Sequence, residues 1–280
     1  MPSSPDDAAE WWATAITRMA PGVIELRGRP VQDLIGVLSL TEMIWLLLRG
    51  DLPSPRQARL LEAALVAGVD HGPQAPSIAA ARMAATCGVG LNNAVATGVN
   101  LLGDSHGGAG QQCVELLHDI RVASSAGVGP SSGADVVGDV LAVWRARSRY
   151  IPGFGHRFHP VDPRRDPLLG LVDEAVRDGV VEGHFLAAAR AVEAALHPVP
   201  MNIDGATAVI YAELGFAAPL ARGLFVLSRS LLATILFNNV MATVGFVKNG
   251  LSLPLPAVYG WLLAVLALTV FIAVFRFARR

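Results

Sequence analysis

The stretch PGFGHRFHPVDPRRDP, residues 152–167, holds seven ionisable side chains in the eleven positions from His156 to Asp166, in a chain that is only 16% charged. Histidine donates or accepts a proton near neutral pH. The arginine fork binds carboxylates in bidentate fashion. The loop therefore offers proton transfer beside an anion. Four other segments combine polar groups with tight-turn residues: VDHGPQAPS with Asp70 and His71, GDSHGGAG with His106, MNIDGATAVIYAEL with Asp204, and LFVLSRS with Arg229. Glycine lets backbone or ligand approach closely, and a buried guanidinium needs an acceptor. Singly, each has a structural use: His71 as a cap or core side chain, Asp204 as an N-cap, the Arg-rich loop as a solvated turn. Together, three histidines, an aspartate and several arginines suit proton transfer next to a small anionic molecule.

The elements that must position these groups are helical. SLTEMIWLLLRG predicts a helix capped by Ser39, with Glu42 three residues on and Gly50 as its stop. SPRQARLLEAALVAGVDHG predicts another, with Ser54 as cap, Pro55 in the first turn and Gly72 near the end. The run from Ser77 to Gly103 is rich in small residues, a composition for close helix packing, including packing between subunits. Ser124–Asp135 reads as a surface loop, and ADVVGDVLAVWRARSRY, DPLLGLVDEAVRDG and EGHFLAAARAVEAALH as amphipathic helices. With no βαβ alternation, the expected fold class is all-α. The chain has 280 residues, enough for a sizeable core, and a net charge of −1, which leaves no basic stripe for nucleic acid. Cys87 and Cys113 lack any metal-ligand spacing and read as two buried free thiols of a reducing compartment. The acidic start shows no secretory signal. From Asn249 to Phe275 no residue is charged, and the segment 257–275 is long enough to cross a bilayer, with Tyr259 and Trp261 near one end and RFARR at the other. A buried core helix is the alternative reading of that segment.

The ordered set VIELRGRPVQDLIGVLSLTEMIWLLLRGDLPSP, DHGPQAPS, GDSHGGAG, PGFGHRFHPVDPR, MNIDG and LSRS resembles the citrate synthase family, over roughly residues 22–232. It is most similar to the family's short citryl-CoA lyase and citrate synthase-like members. The resemblance implies a citrate synthase-like fold with a large helical domain (1–106 and 208–232) and a small one (107–207) that close on each other, a homodimer, and no metal or redox cofactor. It implies C–C bond formation or cleavage between an acyl-CoA, such as acetyl-CoA, and oxaloacetate. By position, His106 matches the histidine that holds the thioester carbonyl and stabilises its enol, and Asp204 the base that takes the α-proton. His156 matches the donor to the ketone oxygen of oxaloacetate. His71 matches an oxaloacetate-binding histidine, although the family's DHE reads DHG here. Arg157, Arg164 and Arg229 match substrate-binding arginines. The spacing from His156 to DPR is about one residue short, so Arg164 and Arg165 are exchangeable in this assignment.

After SRS the pattern departs from the family. Leu232 stands where a glycine is expected, no histidine follows, and residues 233–280 form an atypical apolar tail with an expected membrane span at 257–275. The tail reads as an anchor on a working enzyme, as the end of a membrane-attached, non-catalytic homologue that binds CoA or a dicarboxylate, or as a frameshift or fusion. The expected location is cytoplasmic, attached to the cytoplasmic face of the membrane if the tail is an anchor.

Overall fold

Ser39 and Ser54 each close a capping box. The serine hydroxyl accepts from the backbone N–H three residues on, and Glu42 or Gln57 returns a bond to the serine N–H. They start α1 (Leu40–Arg49) and α2 (Pro55–Gly68) in the structure, a computed structural model that describes residues 11–125 and 135–231. Gly50 stops α1 in the left-handed conformation, as expected, whereas α2 ends at Gly68, four residues before Gly72. There Asp70 turns the chain by accepting from the Gly72 N–H at 2.7 Å.

The small-residue run folds as a hairpin of α3 (Pro76–Thr86) and α4 (Leu91–Val99). A Cβ on Gly98 would lie 2.8 Å from the Ser77 carbonyl oxygen, so the two helices touch through backbone. Next come α5 (Ala109–Ser125), α6 (Val136–Arg147), α7 (Arg165–Arg177), α8 (His184–Ala195), α9 (Ile203–Glu213) and a last helix, α10, over 218–231. Of the loop expected after Ser124, residues 126–134 lie outside the described residues.

The core is built around α9. Ile203 and every residue from Gly205 to Ala212 are buried, so this helix is apolar on all sides. It packs on Cys113, Val114, Leu116, Leu117 and Ile120 of α5, with α2, α7 and α8 completing the shell. Helix α9 also runs unbroken through 207/208, where the two expected domains meet.

Two expectations need correction. The fold is mostly helical rather than all-α: β1 (Thr17–Ala20), β2 (Val23–Leu26) and β3 (Arg29–Pro30) form an antiparallel sheet in the order β1-β2-β3. Its turns use positive φ at Gly22, Arg27 and Gly28, and strands of two to four residues are too short to print an alternating pattern in the sequence. Cys113 is buried, but Cys87 is exposed at the C-terminal cap of α3, where the hairpin turns outward. Among the described residues no helix is long and apolar enough to cross a membrane. The apolar segment expected to span lies outside them.

Candidate active site

The N-terminus of α9 is the meeting point. Asn202, not Asp204, is the N-cap: its side-chain oxygen accepts from the Asp204 and Gly205 N–H groups at 2.9 and 3.2 Å. The Asp204 carboxylate is thereby released from capping and accepts no hydrogen bond from any described residue. It is partly accessible at the mouth of an otherwise buried helix.

The loop carrying His156 is stitched to this helix entry by two backbone hydrogen bonds and one from the Asn202 side chain. Gly155 N–H donates to the Pro200 carbonyl at 2.8 Å, Asn202 N–H to the Gly153 carbonyl at 2.9 Å, and the Asn202 amide to the Gly155 carbonyl at 2.5 Å. The contact requires glycine. Gly153 has φ +84°, and a Cβ on it would fall 2.6 Å from the Cys113 sulfur and 2.9 Å from the Gly205 Cα. One residue on from this clasp, His156 Nδ1 accepts from the N–H groups of Phe158 and His159 at 3.0 and 3.1 Å. With Nδ1 occupied as an acceptor, the neutral ring carries its proton on Nε2. The His71 ring stands edge-on to it, 5.1 Å between centroids, and His159 lies against it at 4.5 Å.

His106 sits on the tight GDSHGGAG turn, where a Cβ on Gly108 would be 2.6 Å from the Asp104 carbonyl oxygen. Its Nε2 accepts from the Ser77 N–H at 3.2 Å and lies 3.0 Å from the Ser77 hydroxyl. Ser77 is the second residue of α3, so the positive end of that helix faces the imidazole and assigns its proton to Nδ1. Burial lowers the pKa of His106, with a smaller push from Arg229. It likewise lowers those of His71, helped by Arg164, and of His156, where Asp162 opposes. All three rings are held toward their neutral forms, as N–H donors rather than cations.

Two arginines form the cationic side. Arg229, 5% exposed on α10, donates from Nε to the Gly68 carbonyl at 3.0 Å and stacks on Phe225. Its Nη atoms donate to no described residue. Arg164 is clamped on Asp162, with Nε and Nη2 each donating at 2.9 Å, while Nη1 lies 3.5 Å from the Asp70 carbonyl. Burial raises the pKa of Asp204, and Arg164 and Arg229 pull it partly back. The two arginines link the set: both act on Asp204 and His71, Arg164 also on His156, and Arg229 also on His106.

Two further arginines of the loop lie elsewhere. Arg165 is not interchangeable with Arg164, because its guanidinium is committed to Glu193 and Asp166. Arg157 is exposed and makes no hydrogen bond or ion pair with a described residue, so it stays outside the set. Asp162 and Ser77 were not singled out by the sequence. The signal for Asp162 is its place two residues before Arg164 in VDPRRDP. Ser77 meets His106 through its N–H as well as its hydroxyl, and no side-chain pattern reveals the backbone contact. A separate cleft of about 550 Å³ at the other end of α9 is lined by Phe185, Phe216 and Glu213 among others. The Glu213 carboxylate there is consumed by the N–H groups of Gly183, Phe185 and Leu186. Among the described residues no group of three or more His, Cys, Asp or Glu side chains is placed to hold a metal ion.

What the set can do is remove a proton next to a carbonyl. It combines a base held above the usual carboxylate range, one neutral N–H donor for the developing oxyanion, a second for another oxygen, and arginines for carboxylates. Residues 53–234 match the family model described as citrate synthase, C-terminal domain. The chain is 34% identical to citryl-CoA lyase from Hydrogenobacter thermophilus, with a TM-score of 0.70, covering 83% of this chain and 88% of that one. It is 30% identical over 195 residues to citrate synthase 1 of Mycobacterium tuberculosis, covering 62% of this chain and only 41% of that protein. ATP citrate lyase from Methanothrix soehngenii, solved in complex with citrate and coenzyme A, shares the fold at a TM-score of 0.70 and 19% identity, this chain spanning 45% of it.

Proposed function

Because the chain belongs to the citrate synthase family, we propose that it makes or breaks the C–C bond between acetyl-CoA and oxaloacetate, with citryl-CoA cleavage as its principal reaction. The observation that carries this reading is the Asp204 carboxylate: relieved of capping by Asn202, without a hydrogen-bond partner among the described residues, partly accessible and flanked by Arg164 and Arg229. The likeness to a citryl-CoA lyase along nearly the whole of that protein supports the cleavage direction over the longer synthases.

In condensation, Asp204 takes the α-proton of the thioester. His106 Nδ1–H donates to the oxyanion of the enolate, which is worth roughly 3–4 kcal/mol in a site of this type. The enolate carbon attacks the ketone carbon of oxaloacetate, and His156 Nε2–H passes its proton to the ketone oxygen. The two backbone N–H groups on His156 Nδ1 stabilise the electron density left on the ring. Arg164, Arg229 and His71 hold the dicarboxylate. The proton on Asp204 then returns to His156 Nε2 and restores the starting state. Cleavage is the same path in reverse: that proton first passes from His156 to Asp204, the deprotonated ring takes the hydroxyl proton, and Asp204 gives its proton to the enolate carbon. No step calls on a metal or redox cofactor, and substrates that are charged metabolites fit a cytoplasmic location.

The test is a pair of assays, citryl-CoA cleavage and thiol release from acetyl-CoA plus oxaloacetate. Turnover is expected in at least the first, and His156→Ala is expected to lower kcat by roughly 100-fold or more. Wild-type protein that binds oxaloacetate yet turns over neither substrate overturns the proposal in favour of a non-catalytic binding homologue.

We also propose a homodimer formed through the α3–α4 hairpin. The two helices pack mainly on each other, and Met83 and Leu91 are 66% and 39% exposed. A sedimenting dimer is expected, with Met83→Asp weakening it at least about tenfold by burying a charge. A wild-type monomer at micromolar concentration excludes this arrangement.

A further inference from the structure

Resting on the reading above, we propose that Asp162 is a positioning residue that keeps the Arg164 guanidinium off the Asp204 carboxylate, so that one arginine can hold a substrate carboxylate without quenching the base beside it. The Asp162 side chain is 0% exposed. Its Oδ1 accepts from Arg164 N at 3.1 Å and Nε at 2.9 Å, and its Oδ2 from Arg164 Nη2 at 2.9 Å and Ile203 N at 3.2 Å. Two donors on each oxygen saturate the carboxylate. Burial opposes its ionisation, but the Arg164 and Ile203 donors hold its pKa down to about 2, so it stays an anion.

The consequence for Arg164 is directional. With Nε and one N–H of Nη2 spent on Asp162, the two N–H groups of Nη1 and the second of Nη2 are left, and among the described residues they meet only the Asp70 carbonyl, 3.5 Å from Nη1 and too far for a strong bond. A guanidinium near a carboxylate in a low-dielectric site ordinarily pairs with it. Asp162 takes that pairing first. It also binds the N–H of Ile203, the residue next to the base, so the same carboxylate fixes where α9 begins and where Arg164 stops.

The charged and titratable groups facing Asp204 are Asp162 and Arg164 from the loop before α7, Arg229 from α10, Cys113 from α5 and Tyr211 from its own helix. Asp162 is the only anion among them. Removing its charge leaves the base between two cations.

The experiment uses the full chain with Asp162→Asn, Arg164→Ala and the double variant. Asp162→Asn is expected to lower kcat roughly 10- to 100-fold, raise KM for the dicarboxylate and move the acid limb of kcat to lower pH. The double variant is expected to return that limb toward wild type and to lose less than the product of the two single losses. In parallel, the Asp204 carboxyl is titrated by ¹³C NMR in ligand-free, aspartate-labelled protein, its signal identified by its absence in Asp204→Asn. Its midpoint is expected to fall in Asp162→Asn and recover in the double variant. An inactive wild type defeats the functional reading alone, and the NMR midpoints still decide the role of Asp162. If Asp162→Asn does not fold, Asp162→Glu replaces it: the charge is kept, so the midpoint is expected to stay while kcat falls. An unmoved midpoint in Asp162→Asn, a displaced one in Asp162→Glu, or simple multiplication of the two single losses overturns the proposal.

Discussion

Asp204→Asn is expected to lose roughly a thousandfold in kcat and, at the same time, to melt at a higher temperature than wild type at pH 7. Both effects come from one carboxylate. The base must be an anion to accept the α-proton, and the asparagine amide cannot replace it. The gain in stability follows from linkage. Burial holds the folded pKa of Asp204 above its ordinary value of 3.8 despite Arg164 and Arg229. Between the two values the folded state binds more protons than the unfolded one, so stability falls as pH rises through that window and stays reduced above it. Asparagine has no charge to bury. The melting-point advantage is therefore expected at neutral pH and to vanish as the pH drops below the ordinary carboxylate range. Residual kcat within tenfold of wild type moves the base to another residue. A lower melting point at pH 7 makes the carboxylate structural.

Gly153→Ala is expected to lower stability and kcat together. Holding alanine at φ +84° costs roughly 1–3 kcal/mol, and its Cβ meets the Cys113 sulfur at 2.6 Å and the Gly205 Cα at 2.9 Å. Overpacking of this kind adds roughly another 1–3 kcal/mol. None of these neighbours is the loose end of a flexible side chain, so the His156 loop must lift from α9, and kcat is expected to fall with stability. Gly155→Ala is the internal comparison. It shares a positive φ of +79°, but its Cβ meets only Val199 at 3.2 Å, so the smaller loss is expected there. Thermal melts of both variants measure the difference. A Gly153→Ala protein that melts no lower than Gly155→Ala removes the close approach as the cause.

The helices were legible because their signals are local. Ser39 with Glu42 and Ser54 with Gln57 announce two starts within four residues, and the polarity of α7 and α8 alternates with their packing. His71, His106, His156, Asp204, Arg164 and Arg229 were legible as chemistry in turn-marked loops. What stayed hidden was long-range. Whether Asp204 caps its own helix depends on Asn202 taking that duty, and Arg165 is held by Glu193, 28 residues away, as well as by its neighbour Asp166. The short N-terminal sheet was missed because its register is set by turn geometry at Arg27 and Gly28, not by hydrophobic alternation.

The proton positions of His106 and His156 are set by main-chain donors: Ser77 N–H for one ring, Phe158 and His159 N–H for the other. A backbone amide survives every substitution except proline. Residues 77, 158 and 159 can therefore drift through most of the amino-acid alphabet while both tautomers are inherited intact. The mutational target for losing the two donors shrinks to the histidines themselves and the glycines that shape their turns. Chemistry written in this way tolerates wide divergence in the surrounding sequence.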